Sequence, residues 1–149
     1  MALLPEIDEK KTRKNVKELL CNYRSFVRLA EEKYIPKVTA TYSFELKSFT
    51  GLVSRATENA VVRKVTAEQE LFKIAKAMNK LNAYDAQMIY DKYMDKRELS
   101  DTDIYLNYNM SSSAFYRALD KVLIKFAEAY QNGSLVVEDR EEYGTDEVQ

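Results

Sequence analysis

Apolar positions recur along this chain at spacings of three and four, separated by short polar gaps. The first run is Val16, Leu19, Leu20, Tyr23, Phe26, Val27 and Ala30, a single stripe at helical period. Asp8 stands where an N-cap is needed, so the pattern predicts a helix from there to about Tyr34. Pro36 ends it, because proline disfavours helical geometry in the residue before it. The stretch 37–56 has no helical period. Its piece VTATYSFE alternates like an extended strand, and Tyr42, Phe44 and Phe49 are expected to anchor this connector in a core. A second stripe follows through Val61, Val65, Leu71, Phe72, Ile74, Ala75, Met78 and Leu81. Thr57 suits its start, and Thr66 with Gln69 fits a capping box, so the pattern allows one bent helix or two.

Asn82 to Tyr84 reads as a turn, after which Tyr84 or Asp85 opens the helix DAQMIYDKYM. Lys96 to Ser100 is a polar break. Ser100 precedes DTDIYLNY, a short helix with Asp101 and Asp103 in its first turn, where the helix dipole favours acids. Ile104, Tyr105 and Tyr108 are its expected buried side. Asn109 falls where a corner between two helices needs a left-handed residue, and Asn tolerates that conformation best after Gly. Met110 is expected to plug the core beneath that corner. Ser111 is a strong N-cap for the last helix, which should bury Phe115, Leu119, Val122, Leu123, Phe126 and Tyr130 and stop at Asn132-Gly133. The strand-like run Leu135 to Val137 either pairs with VTATYSFE or belongs to a disordered tail, and an acidic end follows.

The fold class is therefore all-α, a multi-helix domain with at most one short two-stranded element. Residues 1–80 form a basic helical region, a support and dimerisation surface; residues 81–133 carry the helix pair; residues 134–149 are an extended segment and acidic tail. The presence of only 3 Gly and 2 Pro agrees with long helices. With no His and 1 Cys, a histidine acid/base and an internal disulfide are ruled out, and no Cys/His cluster exists to build a zinc site, so none is expected. Cys21 sits on a helix without a partner base, so packing is its expected role, and the lone thiol fits the cytoplasm. The three glycines lie far apart, which excludes a phosphate loop. No signal peptide or membrane span is expected, no cofactor, and no catalysis. The net charge of -1 hides an asymmetry. Residues 1–80 carry 16 Lys/Arg against 10 Asp/Glu, while residues 134–149 carry 1 against 6. A basic front permits an anionic partner, and the acidic end can compete for the same surface.

The helix pair within Leu99–Ala129 is the candidate for chemistry. A helix in the major groove reads bases with its first turns, while the preceding helix crosses the backbone. Ser111, Ser112, Ser113, Tyr116, Arg117 and Lys121 occupy that outward edge. Arg grips guanine with two bonds, Ser bonds phosphate or base, and Tyr bonds a phosphate or packs on a thymine methyl. Lys10, Lys11, Arg13, Lys14, Lys17, Lys96 and Arg97 are candidates for holding phosphates. Against this, Asp101 and Asp103 repel phosphate, and Tyr105 stands where a small residue normally lets the helices approach. The pattern by itself leaves a DNA reader and a plain helical hairpin both open.

Resemblance favours the reader. Leu81 to Tyr130, with LNAYDAQMIYDKYM as its leading helix, looks like region 4 of bacterial sigma factors. The whole chain resembles the ArpU family of phage and prophage transcriptional regulators. The carrying blocks are IDEKKTRKNVKELLCNYRSFVRLA, TATYSFELKSFTG, TENAVVRK and SSSAFYRALDKVLIKFAEAYQNGSLVV, within residues 7–137. The resemblance implies a sigma-like helix-turn-helix that binds double-stranded promoter or operator DNA, controls late phage genes and works with host RNA polymerase, with a homodimer as a further expectation. Two rivals stay open: a small terminase-like packaging subunit, and a helical adaptor that binds only protein.

Overall fold

Asp8 does cap the first helix, its side chain accepting from the Lys11 N–H, and α1 runs Glu9–Leu20. The single helix expected to about Tyr34 is instead broken. Asn22 donates its side-chain amide to the Glu18 carbonyl at 2.8 Å, while its own N–H bonds Leu19 at 3.1 Å. A side chain competing for the backbone ladder in this way interrupts it. A second helix, α2 (Tyr23–Leu29), follows, and a 3-10 turn spans Glu32–Tyr34. The computed structural model describes residues 3–36 and 58–139. The strand expected at VTATYSFE, the aromatic anchors Tyr42, Phe44 and Phe49, and a start at Thr57 lie outside the described residues.

The second stripe is one helix, α3 (Glu58–Asn79), and Thr66 caps nothing. It buries Ala67, Leu71, Ile74, Ala75, Ala77 and Met78, and packs against α2. Asn82, rather than Tyr84 or Asp85, caps α4 (Ala83–Ile89): its side chain accepts from the Asp85 N–H at 2.8 Å. A π turn, Tyr90–Met94, prolongs α4 and closes with the Asp95 N–H on the Tyr90 carbonyl at 2.9 Å. The wider turn delivers Asp95 between two arginines. Its carbonyl takes the Arg24 guanidinium at 3.1 and 3.2 Å, and its carboxylate takes Arg97 at 2.7 Å. This ties α2 to the loop before the next helix.

The last two helices are α5 (Asp101–Asn107) and α6 (Ser112–Ala129). Every apolar residue expected on the inner side of α6 is buried, Phe115 and Phe126 completely. Fully burying a large apolar side chain contributes roughly 1.5–3 kcal/mol before entropy is counted, whereas a polar tie contributes about 1 kcal/mol. The apolar stripe therefore sets where α6 lies, and its outer face is free to carry other chemistry. Val16, Leu20 and Tyr23 from the front of the chain join the same core as Met88, Ile104 and Phe126. The stripe of α1 is thus used inside the chain, against α6.

Tyr130 closes the end of α6 by donating to Glu70 of α3 at 2.6 Å. The stop itself is a run of left-handed residues, Gln131, Asn132 and Gly133. The segment after it does pair, but with the chain ahead of α1. Glu138 bridges Ile7 antiparallel, the Asp8 N–H donates to the Val137 carbonyl at 2.8 Å, and the Val137 N–H donates to the Thr12 hydroxyl at 2.9 Å. Thr12 is fully buried, so its hydroxyl needs that bond. Among the described residues all other secondary structure is helical, and no helix is long and apolar enough to cross a membrane.

Candidate nucleic-acid interface

The α5–α6 corner is built by local rules. Ser100 caps α5 by accepting from the Asp103 N–H at 3.1 Å. At the other end the Asn109 N–H bonds the Leu106 carbonyl at 3.0 Å, and the Met110 N–H bonds the Tyr105 carbonyl at 2.9 Å. These paired bonds form a Schellman stop, which needs a left-handed residue at the position of Asn109, found at φ 56. Met110 then packs against the core. Ser111 starts α6 by accepting from the Ala114 N–H at 3.2 Å. Tyr105 is accommodated by tilting over Phe115, ring centres 6.1 Å apart, so it fills the joint between the helices.

The corner leaves Ser111, Ser112, Ser113, Tyr116, Arg117 and Lys121 exposed along the first turns of α6. Ser112 and Ser113 lie one turn from Tyr116 and Arg117, so the four share one edge. Arg117 is exposed and donates its Nε to the Ser113 carbonyl at 3.3 Å. Tyr116 behaves differently. Its hydroxyl donates to Asp101 Oδ2 at 2.7 Å, and Lys92 of the π turn donates to Asp101 Oδ1 at 2.6 Å. Burial pushes the Asp101 carboxyl up, but the bonds from Lys92 and Tyr116 outweigh it and hold the group below its usual range. The acid that sat badly in a helix crossing phosphates is thus neutralised locally and joins three elements. Asp103 stays exposed in the same turn.

The phosphate candidates divide. Lys10, Lys14 and Lys17 are exposed on α1, and Lys96 on the α4–α5 loop. Lys11 is exposed, 3.8 Å from Asp8. Arg13 is engaged on both sides, 3.5 Å from Glu9 and 3.7 Å from Asp120 of α6. Asp120 is one turn from Arg117, so Arg13 braces α1 beside the edge. Arg97 grips the buried Asp95, whose carboxyl that guanidinium holds below its ordinary value. Lys125, further along α6, reaches buried Asp85 at 2.8 Å.

A second basic surface lies between α3 and the far end of α6. Gln69, Phe72, Lys73, Lys76, Lys80 and Gln131 line an open cavity of about 670 Å³. Lys76 sits 5.7 Å over the Phe72 ring. Eighteen helical residues at 1.5 Å each place this groove about 25 Å from the Ser112 edge. These lysines belong to the basic excess of residues 1–80, but nothing in their spacing says that they open on a groove. Among the described residues no group of three or more His, Cys, Asp or Glu side chains could hold a metal ion.

A protein of Streptococcus phage O1205, described as "Putative autolysin regulatory protein ArpU", is 35% identical over 137 residues, covering 91% of this chain and 99% of that protein. One of the same description from Enterococcus hirae is 27% identical over 136 residues, covering 91% and 98%. No family model matches the chain, and no solved structure does. The first likeness runs the length of both chains at an identity that shared ancestry explains, and the relatives' names describe regulation rather than catalysis. Both relatives are described as autolysin regulatory proteins, and the chain belongs to their family, the ArpU family.

Proposed function

We propose that this protein is a sequence-specific DNA-binding transcriptional regulator whose reading edge is the start of α6. The observation that carries the reading is the α5–Asn109–α6 corner. It leaves Ser112, Ser113 and Arg117 exposed on the N-terminal turns of a helix whose other face is fully used in the core. That is the arrangement in which a helix-turn-helix offers its second helix to the major groove. Arg117 takes a guanine by two bonds, the serines take base or backbone, and Ser111 with Lys121 adds contacts at either end of the edge. Lys10, Lys11, Lys14, Lys17 and Lys96 hold phosphates without regard to sequence.

Family membership supplies the biological setting. Its relatives are named for autolysin regulation and one is a phage protein. This chain accordingly binds a promoter or operator ahead of late or lytic genes and works there with host RNA polymerase, as a sigma region 4-like module would. The test is a gel shift on a duplex from the region upstream of those genes, run over a series of salt concentrations. Affinity should fall steeply with salt, as phosphate contacts require. Arg117→Ala should cost about 1–3 kcal/mol and relax preference at one base pair. Unchanged affinity and preference in that variant would place the reading edge elsewhere. A protein that shifts no duplex at low salt is an adaptor, not a reader.

A further inference from the structure

Resting on that reading, we infer that Tyr116 reads DNA with its ring and not with its hydroxyl. Asp101 is the positioning residue that commits it to this, and the feature read is the C5-methyl group of a thymine. A tyrosine on a recognition helix has two ways to touch DNA: donate to a phosphate, or pack on an apolar base edge. The geometry favours the second. The Tyr116 hydroxyl already donates to Asp101 Oδ2 at 2.7 Å, a charge-assisted bond. The other carboxylate oxygen is held by Lys92 at 2.6 Å, so Asp101 is fixed from both sides. Moving the hydroxyl to a phosphate trades one anion for another and strips Asp101 Oδ2 of its donor, leaving Lys92 as the carboxylate's remaining partner. That exchange brings little gain, because the bond it breaks is as strong as the bond it makes.

The ring is positioned as firmly as the hydroxyl. It stands edge-on to Phe115, centroids 5.4 Å apart at 60°. Phe115 is completely buried, so this contact anchors the ring to the core. Tyr116 is nevertheless 43% exposed, on the same edge as Ser112 and Ser113. With its hydroxyl engaged by Asp101, what it has left to offer the groove is its ring. In the major groove the apolar mark is the thymine methyl, which no other base carries. The same network withdraws Lys92 from phosphate binding, since its ammonium is spent on Asp101.

The test uses the full chain and duplexes that it selects from a random pool. Each thymine of the selected site is replaced in turn by deoxyuridine, which removes the methyl and nothing else. At one position the wild-type protein should lose about three- to fivefold in affinity, the value of one buried methyl. Tyr116→Phe should keep that sensitivity. Tyr116→Ser should abolish it there and leave the other positions unchanged. Asp101→Ala should flatten the thymine-to-uracil ratio at the same position, and Asp101→Asn, which still accepts from the hydroxyl, should restore part of it. A merely structural Asp101 would lower affinity at every position alike and leave the ratio intact. If Tyr116→Phe loses as much as Tyr116→Ser, the hydroxyl is the contact and the inference fails. It fails equally if the selected site has no methyl-sensitive thymine, while the DNA-binding reading survives. If no duplex is enriched at all, the reading beneath it fails too.

Discussion

Phe115 joins the corner to the core, and its removal is the sharpest perturbation of the fold. The side chain is 0% exposed. Its ring meets Tyr105 at 6.1 Å and Tyr116 at 5.4 Å, so it holds α5 and the reading edge together. Truncating a buried Phe to Ala costs about 3–5 kcal/mol, transfer and cavity together. Losing two aromatic pairs, each worth about 0.5–1.5 kcal/mol beyond area, pushes toward the upper end. Partial collapse of Tyr105 and Tyr116 into the void pulls back, so about 4 kcal/mol is expected. A domain of this size holds about 5–15 kcal/mol in all, so Phe115→Ala should remain folded only with a narrow margin. At about 3 °C per kcal/mol its Tm should fall by about 12 °C. Phe115→Leu, which keeps most of the volume, should cost less than about 1.5 kcal/mol. Equilibrium urea unfolding followed by far-ultraviolet circular dichroism measures both. A loss under about 1.5 kcal/mol for Phe115→Ala would refute the reasoning. So would a two-step transition, because the corner would then melt apart from the core it is said to share.

Asn109→Ala places a Cβ-bearing residue with no local hydrogen-bonding side chain at φ 56 and should cost about 1 kcal/mol; Asn109→Gly should cost nothing or stabilise slightly, as urea midpoints will show. Burial raises the Tyr23 hydroxyl to about 12, and burial also raises Tyr93 and Tyr130. Groups raised above their unfolded value contribute stability that is complete below pH 10 and is lost as pH climbs toward the folded value. The tyrosines' contribution should therefore be level up to about pH 9 and fall above about pH 10, by as much as about 1.4 kcal/mol per pH unit for each tyrosine. Urea midpoints against pH, with tyrosinate absorbance alongside, check this, and Tyr23→Phe should make the fall shallower.

Much of the fold is legible in the sequence because it obeys local rules. Asp8, Ser100, Asn109 and Ser111 each do what their residue type does at a helix end. The stripe of α6 is read correctly because its period is clean and every position is buried. Errors fall where a side chain overrides the backbone pattern, or where a partner is remote. Asn22 breaks the first helix by taking a carbonyl four residues back, and the π turn at Tyr90–Met94 leaves no mark in the apolar spacing. The run Leu135–Val137 has strand character, yet nothing local says that its partner is residues 6–8. At the candidate site the exposed edge is legible, since it is the complement of the stripe. The Asp101 bridge is not: Lys92, Asp101 and Tyr116 are separated by nine and fifteen residues and meet only once the corner is folded. Arg13 is intermediate, its Glu9 pair readable from i,i+4 spacing and its Asp120 contact hidden.

The central claim is that the first turns of α6 enter the major groove of a specific site. The chain has 1 cysteine, Cys21, which lies exposed at the break after α1 instead of packing in the core as its place on the stripe suggests, and this makes a tethered probe practicable. In a Cys21→Ser background, Ser112→Cys can carry an iron chelate that cuts nearby DNA strands. Bound to the site selected by the wild-type protein, it should cut both strands at one place inside the protected stretch, with little cutting elsewhere. Cutting only at the flanks of that stretch, or evenly along the duplex, would contradict the account.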